Sequence, residues 1–168
     1  MTIMLNVTIP CNVKVKLDNF MDHFKGFEKI SIIREIFGDN TEKVLSELKV
    51  EFCHFRRGFM WICDDDGHLV VSICYLKRGN KRDIYLDVIH ELVHVRQFME
   101  GKELYDDNID YVKRPTEIEA YEFTVREARR IGMTDAEIFE YLKTDWITED
   151  EEKKLAKTLG VKMNTFGS

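Results

Sequence analysis

The pattern of apolar and polar residues divides the first half of the chain into strand-like and helix-like stretches. Residues 2–9 and 12–16 alternate as short strands do, whereas the spacing from Leu17 to Leu48 favours helices. Three stretches rich in Val, Ile and aromatic residues then predict strands: KVEFCHF, GFMWICD and LVVSICYL. Because short turn-like segments separate these strands, we expect them to form an antiparallel β-meander.

Helical periodicity returns in the second half of the chain. The stretch from about Asp83 to Met99 has the length and spacing of a helix, and an acidic loop follows it. A second helix is predicted to begin at Thr116, where Glu119 completes a capping box, and to stop near Gly132. The same signature predicts two further short helices, at Thr134 with Glu137 and at Thr148 with Glu151. The expected fold class is α+β: a small antiparallel β-meander packed on the two central helices, with extra N- and C-terminal helices.

Composition narrows the classes of function. The chain has 168 residues, of which 44% are hydrophobic, and this suits a single domain spanning 1–168. The formal net charge is −6 and no basic stretch is present, which argues against nucleic acid as a partner. The sequence has no apolar run of membrane-spanning length and no signal-peptide pattern at its N-terminus, so we expect a cytoplasmic protein without a membrane partner. The four cysteines form no C-x-x-C pair, and we expect reduced, buried thiols that act as small hydrophobic residues.

The helix predicted at 83–99 contains the segment HELVH, in which His90 and His94 lie one turn apart. Most of this helix is apolar, which predicts burial, and Asp87, His90, His94 and Gln97 align as one polar stripe. An H-E-x-x-H pattern arises by chance in roughly one or two chains per hundred of this length, mostly in exposed or irregular segments. Because two buried histidines without partners would be costly, a metal site is favoured over coincidence.

The spacing of HELVH suits hydrolytic chemistry at a metal ion. Histidines at positions i and i+4 can aim two ring nitrogens at one metal, about 2.1 Å from each. Glu91 lies about 100° further round the helix, where it can reach the metal's bound water without binding the metal. Zinc lowers the pKa of such water to about 7, so Glu91 can accept its proton and pass it to a leaving amine.

A catalytic zinc usually has three protein ligands, and several side chains can supply the third. No histidine or cysteine follows His94, so the motif with a third downstream histidine is excluded. Glu117 is favoured because it shares a helix face with Ala120, whose small side chain permits close approach, whereas Glu119 has a capping role. The alternatives are Glu119 itself, three loop acids, three upstream histidines and an upstream cysteine, the last as an inhibitory ligand: Asp106, Asp107, Asp110, His23, His54, His68, and Cys11 or Cys74.

HELVH followed by E-x-x-A at residues 117–120 resembles the gluzincin zinc metallopeptidases, and most closely their soluble minimal members, the minigluzincins. The resemblance covers roughly residues 48–131. Residues 1–47 are then an N-terminal strand and helix extension, and residues 132–168 are a C-terminal helical extension.

The resemblance implies a zincin-like fold in which zinc is held by His90, His94 and Glu117, with Glu91 as general base and acid. It also implies a metallopeptidase whose peptide or protein substrate binds along an edge strand by β-augmentation, with LVVSICYL as that strand.

Two features of this chain differ from the family pattern. Relatives often carry an aspartate after the alanine of E-x-x-A to orient a ligand histidine, whereas this chain has Tyr121. Either Asp87 or Gln97 would then orient the histidine, or Tyr121 would point to the site. The chain also lacks a downstream histidine to stabilise an oxyanion, and Tyr105, Tyr111 and Tyr121 are the available substitutes. These differences keep a second hypothesis open: a non-catalytic or latent zinc-binding protein that acts as a binding or regulatory module.

Overall fold

The structure of the protein, a computed structural model, describes residues 4–55 and 58–163, and it has the predicted α+β class. Four strands form one mixed sheet: β1 (Lys16–Asn19), β2 (Lys49–Cys53), β3 (Met60–Ile62) and β4 (Leu69–Ser72). The helices between β1 and β2 are α1 (Phe20–His23), α2 (Ser31–Phe37) and α3 (Thr41–Glu47). The helices after the sheet are α4 (Ile73–Arg78), α5 (Lys81–Met99), α6 (Pro115–Arg130), α7 (Asp135–Leu142) and α8 (Glu149–Thr158).

The strand order differs from the predicted antiparallel meander. The order is β1-β2-β4-β3, in which β4 runs parallel to β2 and antiparallel to β3. Strand β4 is buried at all four positions, and a strand covered on both faces is stable inside a sheet rather than at its edge. LVVSICYL is therefore not the edge strand, and β3 takes that place.

The N-terminal predictions need two corrections. No strand is present at residues 4–15, and residues 2 and 3 lie outside the described part of the chain. The strand is instead β1, whose residues 17–19 the periodicity had assigned to a helix, because antiparallel pairing with β2 outweighs a weak local helical pattern. A similar correction applies after β4, where the side chain of Ser72 accepts a hydrogen bond from the Tyr75 backbone and α4 begins instead of a longer strand.

Helices α5 and α6 lie side by side, and α5 also packs on β3 and α2. Helix α5 covers the predicted 83–99 range and begins two residues earlier, where the Asn80 side chain caps it. Helix α6 begins at Pro115, so Thr116 lies inside its first turn and the predicted Thr116–Glu119 capping box is absent. The other two predicted capping boxes are confirmed, at Thr134 with Glu137 and at Thr148 with Glu151.

The described residues add two findings to the compositional arguments. All four cysteines are free thiols, but the expected burial is wrong: Cys11 is exposed, and the other three, Cys53, Cys63 and Cys74, are only partly buried. Among the helices of residues 4–55 and 58–163, none has both the length and the apolar character needed to cross a bilayer.

Candidate metal centre

The packing of α6 against α5 brings together the three predicted zinc ligands. The Nε2 atom of His90 lies 3.1 Å from the Nε2 atom of His94 and 3.1 Å from Oε2 of Glu117. The same Glu117 oxygen lies 3.5 Å from the Nε2 atom of His94. Ala120 is fully buried, which allows the close approach that its size predicts. Two imidazole nitrogens and one carboxylate oxygen therefore converge on one point between the helices.

The separations of these three atoms fit a zinc ion. Ligand atoms at about 2.0–2.1 Å from a tetrahedral zinc lie about 3.4 Å from one another. The observed separations of 3.1–3.5 Å lie close to that value. All three side chains are buried, and a donor set of two histidines and one glutamate is one that zinc commonly takes at catalytic sites.

Outer hydrogen bonds fix the orientation of His94. Its Nδ1 atom lies 2.7 Å from Oε1 of Gln97, so this nitrogen donates and the Nε2 atom faces the other ligands. The amide nitrogen of Gln97 donates in turn to the Thr116 carbonyl and to Oε2 of Glu119. Glu119, which loses its predicted capping role, thus supports the ligand histidine through Gln97. Its other oxygen forms an ion pair with Arg96.

The surroundings of His90 and Glu91 leave two buried atoms without partners. The ring of Tyr121 packs edge-on against His90, with 4.4 Å between ring centroids. Nδ1 of His90 and Oε2 of Glu91 are buried and have no hydrogen-bond partner among the described residues. Since a buried polar group without a partner is destabilising, both atoms indicate that something polar binds here. Glu91 lies beside the two ligand histidines, since its carboxylate and one nitrogen of each histidine are within 4.8 Å of one another.

Burial dominates the electrostatics of Glu91. It raises the pKa of this carboxyl group to about 8, and the nearby charges of Glu117 and Asp87 add to that rise, while protonated His94 opposes it. A glutamate with a pKa near neutrality is suited to accept and return a proton.

The two histidines differ in their charge state. Burial lowers the pKa of His90. Burial also opposes the charge on His94, but the carboxylates of Glu117 and Glu91 outweigh it and raise the pKa of His94 to about 9. Burial opposes the charge of Glu117 as well, yet its contacts with both histidines hold its pKa well below the ordinary value. In the metal-free protein at neutral pH, the centre is therefore a buried ion pair between His94 and Glu117.

A cavity of about 250 Å³ opens beside His90 and Glu91. Phe59 and Met60 line the side formed by edge strand β3. The opposite side comes from the segment after α7, where Trp146 packs against Phe59 and against Tyr111, with centroids 5.8 and 6.0 Å apart. The predicted C-terminal extension thus forms one wall of the cavity.

The alternative third ligands lie elsewhere. His23 bonds Asp18, His54 is exposed, and His68 is held between Asp66 and Glu51. The loop acids take part in surface interactions: the backbone of Asp106 accepts from Arg114, and the other two side chains form ion pairs, Asp107 with Arg114 and Asp110 with Lys113. These contacts leave Glu117 as the carboxylate that meets both histidines of HELVH.

The three candidate tyrosines separate into two groups. The Tyr105 hydroxyl bonds both the backbone N–H and the carbonyl of Ile62, and it does not line the cavity. Tyr111 and Tyr121 line the cavity and share a hydrogen bond of 2.9 Å between their hydroxyls. Burial raises the pKa of both phenols above the ordinary value, so both remain protonated donors at physiological pH.

One part of the site has no local sequence signal. Asp87 contacts neither histidine through a hydrogen bond, and instead accepts bonds from Tyr75 and Tyr141 at 2.5 and 2.6 Å. Tyr75 was assigned to a strand, and Tyr141 belongs to α7, 54 residues beyond Asp87 along the chain. A pattern confined to one helix gives no sign of such partners.

Comparisons with protein-family models, with curated proteins and with solved structures gave no match. The resemblance to gluzincins therefore rests on HELVH and on the E-x-x-A segment at residues 117–120. The zincin-like fold and the peptidase class stay predictions.

Proposed function

We propose that the protein is a zinc-dependent metallopeptidase, a hydrolase of peptide bonds. The observation that supports this most strongly is the convergence of His90, His94 and Glu117, with separations that fit one zinc ion. The unpartnered buried oxygen of Glu91 beside them supports a role in proton transfer. These three ligands would leave a fourth zinc position open for water or substrate, as in catalytic rather than structural zinc sites.

Each residue then has a defined role in hydrolysis. Zinc, when bound, polarises the substrate carbonyl and lowers the pKa of water to about 7. Glu91 accepts the proton of the attacking water and delivers it to the leaving amine. Gln97 keeps Nδ1 of His94 as a donor and so holds Nε2 toward the centre. Tyr111 and Tyr121 share one hydrogen bond in the cavity, so one of the pair keeps a hydroxyl proton that can be donated to a developing oxyanion.

The peptide substrate would add a strand to the free edge of β3. The backbone groups of Phe59 and Cys63 form hydrogen bonds with Ser72 and His68, at the two ends of β4. Because alternate residues of an antiparallel strand bond to opposite sides, the backbone N–H and carbonyl groups of Met60 and Ile62 point away from β4, toward the edge of the sheet. At Ile62 both groups are already bonded by the Tyr105 hydroxyl. Met60 lines the cavity and is therefore the residue that offers its backbone to a peptide.

The test is a comparison of the wild type with Glu91→Gln, both loaded with zinc. The variant should retain one zinc per chain, while cleavage of casein or of a fluorogenic peptide falls by about 10²–10⁴-fold because proton transfer is lost. Glu122→Gln on the exposed face of α6 is the matched control and should behave as wild type. Cleavage by Glu91→Gln at the wild-type rate would rule out this mechanism.

A latent form of the same zinc protein is the second candidate, and one observation favours it. Trp146 contacts Phe59 on the β3 side and Tyr111 on the α6 side, so it spans the cavity where a peptide would lie. The side chain is half-exposed, so truncating it removes a wall without opening the core.

In the latent form, Trp146→Ala should raise peptide cleavage several-fold at unchanged zinc content. Met99→Ala, which truncates another exposed apolar side chain at the end of α5, is the control. Equal rates in wild type and Trp146→Ala would contradict latency and leave the active enzyme as the proposal.

A further inference from the structure

The cavity extends beyond the metal centre along the first turns of α5. Asp87 lies three residues before His90, about 4.5 Å along the helix axis, and Asp83 lies one turn earlier again. Both carboxylates line the cavity, together with the rings of Tyr75 and Tyr141. An acidic end with aromatic walls therefore lies next to the proposed reaction centre, and neither aspartate has a role in the hydrolysis described above.

Asp87 is held in place without being neutralised. Its two oxygens accept from the neutral hydroxyls of Tyr75 and Tyr141, which fix the plane of the carboxylate. Within the described residues, no lysine or arginine nitrogen comes within 4 Å of it, and its side chain keeps part of its surface open to the cavity. Burial raises the pKa of Asp87 to about 6, against the hydroxyl bonds that lower it, so the group is ionised at pH 8.

The other charges around the cavity leave an excess of negative charge. Asp83 is paired with Arg82, which also reaches Glu137. Glu140 and Lys143 lie at the exposed rim, and neither forms an ion pair within 4 Å in the described part of the chain. Two like charges one turn apart on a helix repel each other, and a bound cation between Asp83 and Asp87 would relieve that repulsion.

We propose that Asp87, supported by Asp83, forms a subsite for the lysine or arginine side chain of a peptide substrate. This inference rests on the proposed function and names its substrate class. With the peptide backbone on Met60, a side chain entering the cavity would reach Asp87 within about one helical turn of the centre. The rings of Tyr75 and Tyr141 would cover the aliphatic stem and the charged head of such a side chain. The cavity volume of about 250 Å³ is large enough for one long side chain.

The test uses two probes that differ only in the side-chain ammonium group: Nα-acetyl-lysine hydroxamate and Nα-acetyl-norleucine hydroxamate. The hydroxamate of each binds zinc, and acetylation removes the free amino terminus. Affinities are measured by titration calorimetry on the zinc-loaded protein at pH 8. The lysine compound should bind the wild type at least about tenfold more tightly, since a charge-assisted contact with a partly buried carboxylate is a strong one.

Variants then assign the preference to the subsite. Asp87→Asn should bring the ratio of the two affinities close to one, and Asp83→Asn should reduce it by a smaller factor. Asp65→Asn, an exposed aspartate in the turn between β3 and β4, is the control and should keep the full ratio. Circular dichroism establishes that each variant is folded, and the half-exposed Asp83 provides the test if Asp87→Asn does not fold.

The outcomes separate the inference from the proposed function. Equal binding of both hydroxamates to the wild type, or a preference that survives in both aspartate variants, would overturn the subsite and leave the zinc centre standing. Binding of neither compound would mean that the proposed zinc peptidase is itself wrong, and the subsite with it.

Discussion

Two clusters of metal-ligand side chains in this protein look alike by residue type and differ in their surroundings. The first is the centre of His90, His94 and Glu117 between α5 and α6. The second, the turn cluster, joins Cys63, Asp66 and His68 at the turn between β3 and β4, and its ligand atoms also lie within 4.8 Å of one another.

The turn cluster already satisfies its histidine. Nδ1 of His68 contacts Asp66, and Nε2 contacts Oε2 of Glu51 at 2.9 Å. The carboxylates are exposed, with 65% of the Asp66 side chain and 43% of the Glu51 side chain accessible, so water can solvate them. Burial opposes the charge on His68, but the two carboxylates outweigh it and raise its pKa.

The contrast shows that proximity of ligand atoms alone does not define a metal site. At the interhelical centre, Nδ1 of His90 and Oε2 of Glu91 are buried and unpartnered, whereas both His68 nitrogens in the turn cluster have partners. At the first cluster, zinc would replace the contacts between the histidine Nε2 atoms and Glu117, and water on the zinc would give Oε2 of Glu91 a partner. At the second cluster, a metal ion would have to displace the hydrogen bonds that already satisfy His68. We therefore expect one zinc per chain, between α5 and α6.

The strongest test of this difference between the clusters is to remove one ligand side chain from each of them. Glu117→Ala should weaken zinc binding by more than the roughly 10–100-fold typical of a supporting residue, because a direct ligand is lost. His68→Ala should leave the zinc content of the protein unchanged. Elemental analysis and competition with a chelator measure both. A loss of zinc in His68→Ala, or its retention in Glu117→Ala, would reverse the assignment.

The next largest effect concerns the residues that form hydrogen bonds with the histidine rings. Gln97→Leu removes the acceptor for Nδ1 of His94 and should weaken zinc binding by about 10–100-fold. Glu51→Leu likewise removes the carboxylate that contacts His68 and should have no effect on zinc affinity. An unchanged affinity in Gln97→Leu would mean that packing alone holds the ring of His94.

The third effect is on stability of the metal-free protein. The pKa of His94 is raised from 6.5 to about 9, so the stability it contributes is complete below pH 6.5 and is lost as pH rises through 9. The pKa of Glu91 is raised from 4.5 to about 8, so ionising this buried group is a further loss as pH rises through 8. The free energy of unfolding should therefore fall between pH 6.5 and 9.

Zinc should reverse this trend, since its binding displaces the proton of His94 and becomes tighter as pH rises. Thermal unfolding with zinc and with chelator, across this pH range, measures the widening gap. A gap that is constant with pH would contradict the charged His94–Glu117 pair.

The smallest expected effect is that of salt. The pKa of His68, whose carboxylate partners are exposed, should fall by about 0.3 when the salt concentration rises from 0.05 to 0.5 M, because ions screen Asp66 and Glu51. The pKa of His94 should hardly change, since its partners are buried. Histidine NMR titrations of the metal-free protein measure both values. Equal salt dependence would mean that the interhelical centre is as open to solvent as the turn cluster.

Local patterns identified the α5 and α6 helices, the α+β class and two capping boxes. Those predictions depend on contacts within a few residues, and Thr134 with Glu137 is such a case. The predicted strand order was wrong, because the order in the sheet depends on which strand must be covered on both faces. The same holds for β1, whose strand conformation comes from pairing with β2 rather than from its own residues.

The sequence by itself determined the spacing of His90, Glu91 and His94, since one helix places i and i+4 on a common face. It also determined that Glu117, beside a small Ala120, could meet them. Only the tertiary structure decided the outer contacts, because these join residues that are distant along the chain: Glu119 supporting Gln97, Tyr75 and Tyr141 holding Asp87, and Trp146 packing on Phe59 beside the cavity. Helix periodicity is a short-range property, whereas burial and charge pairing depend on every element that packs around a site.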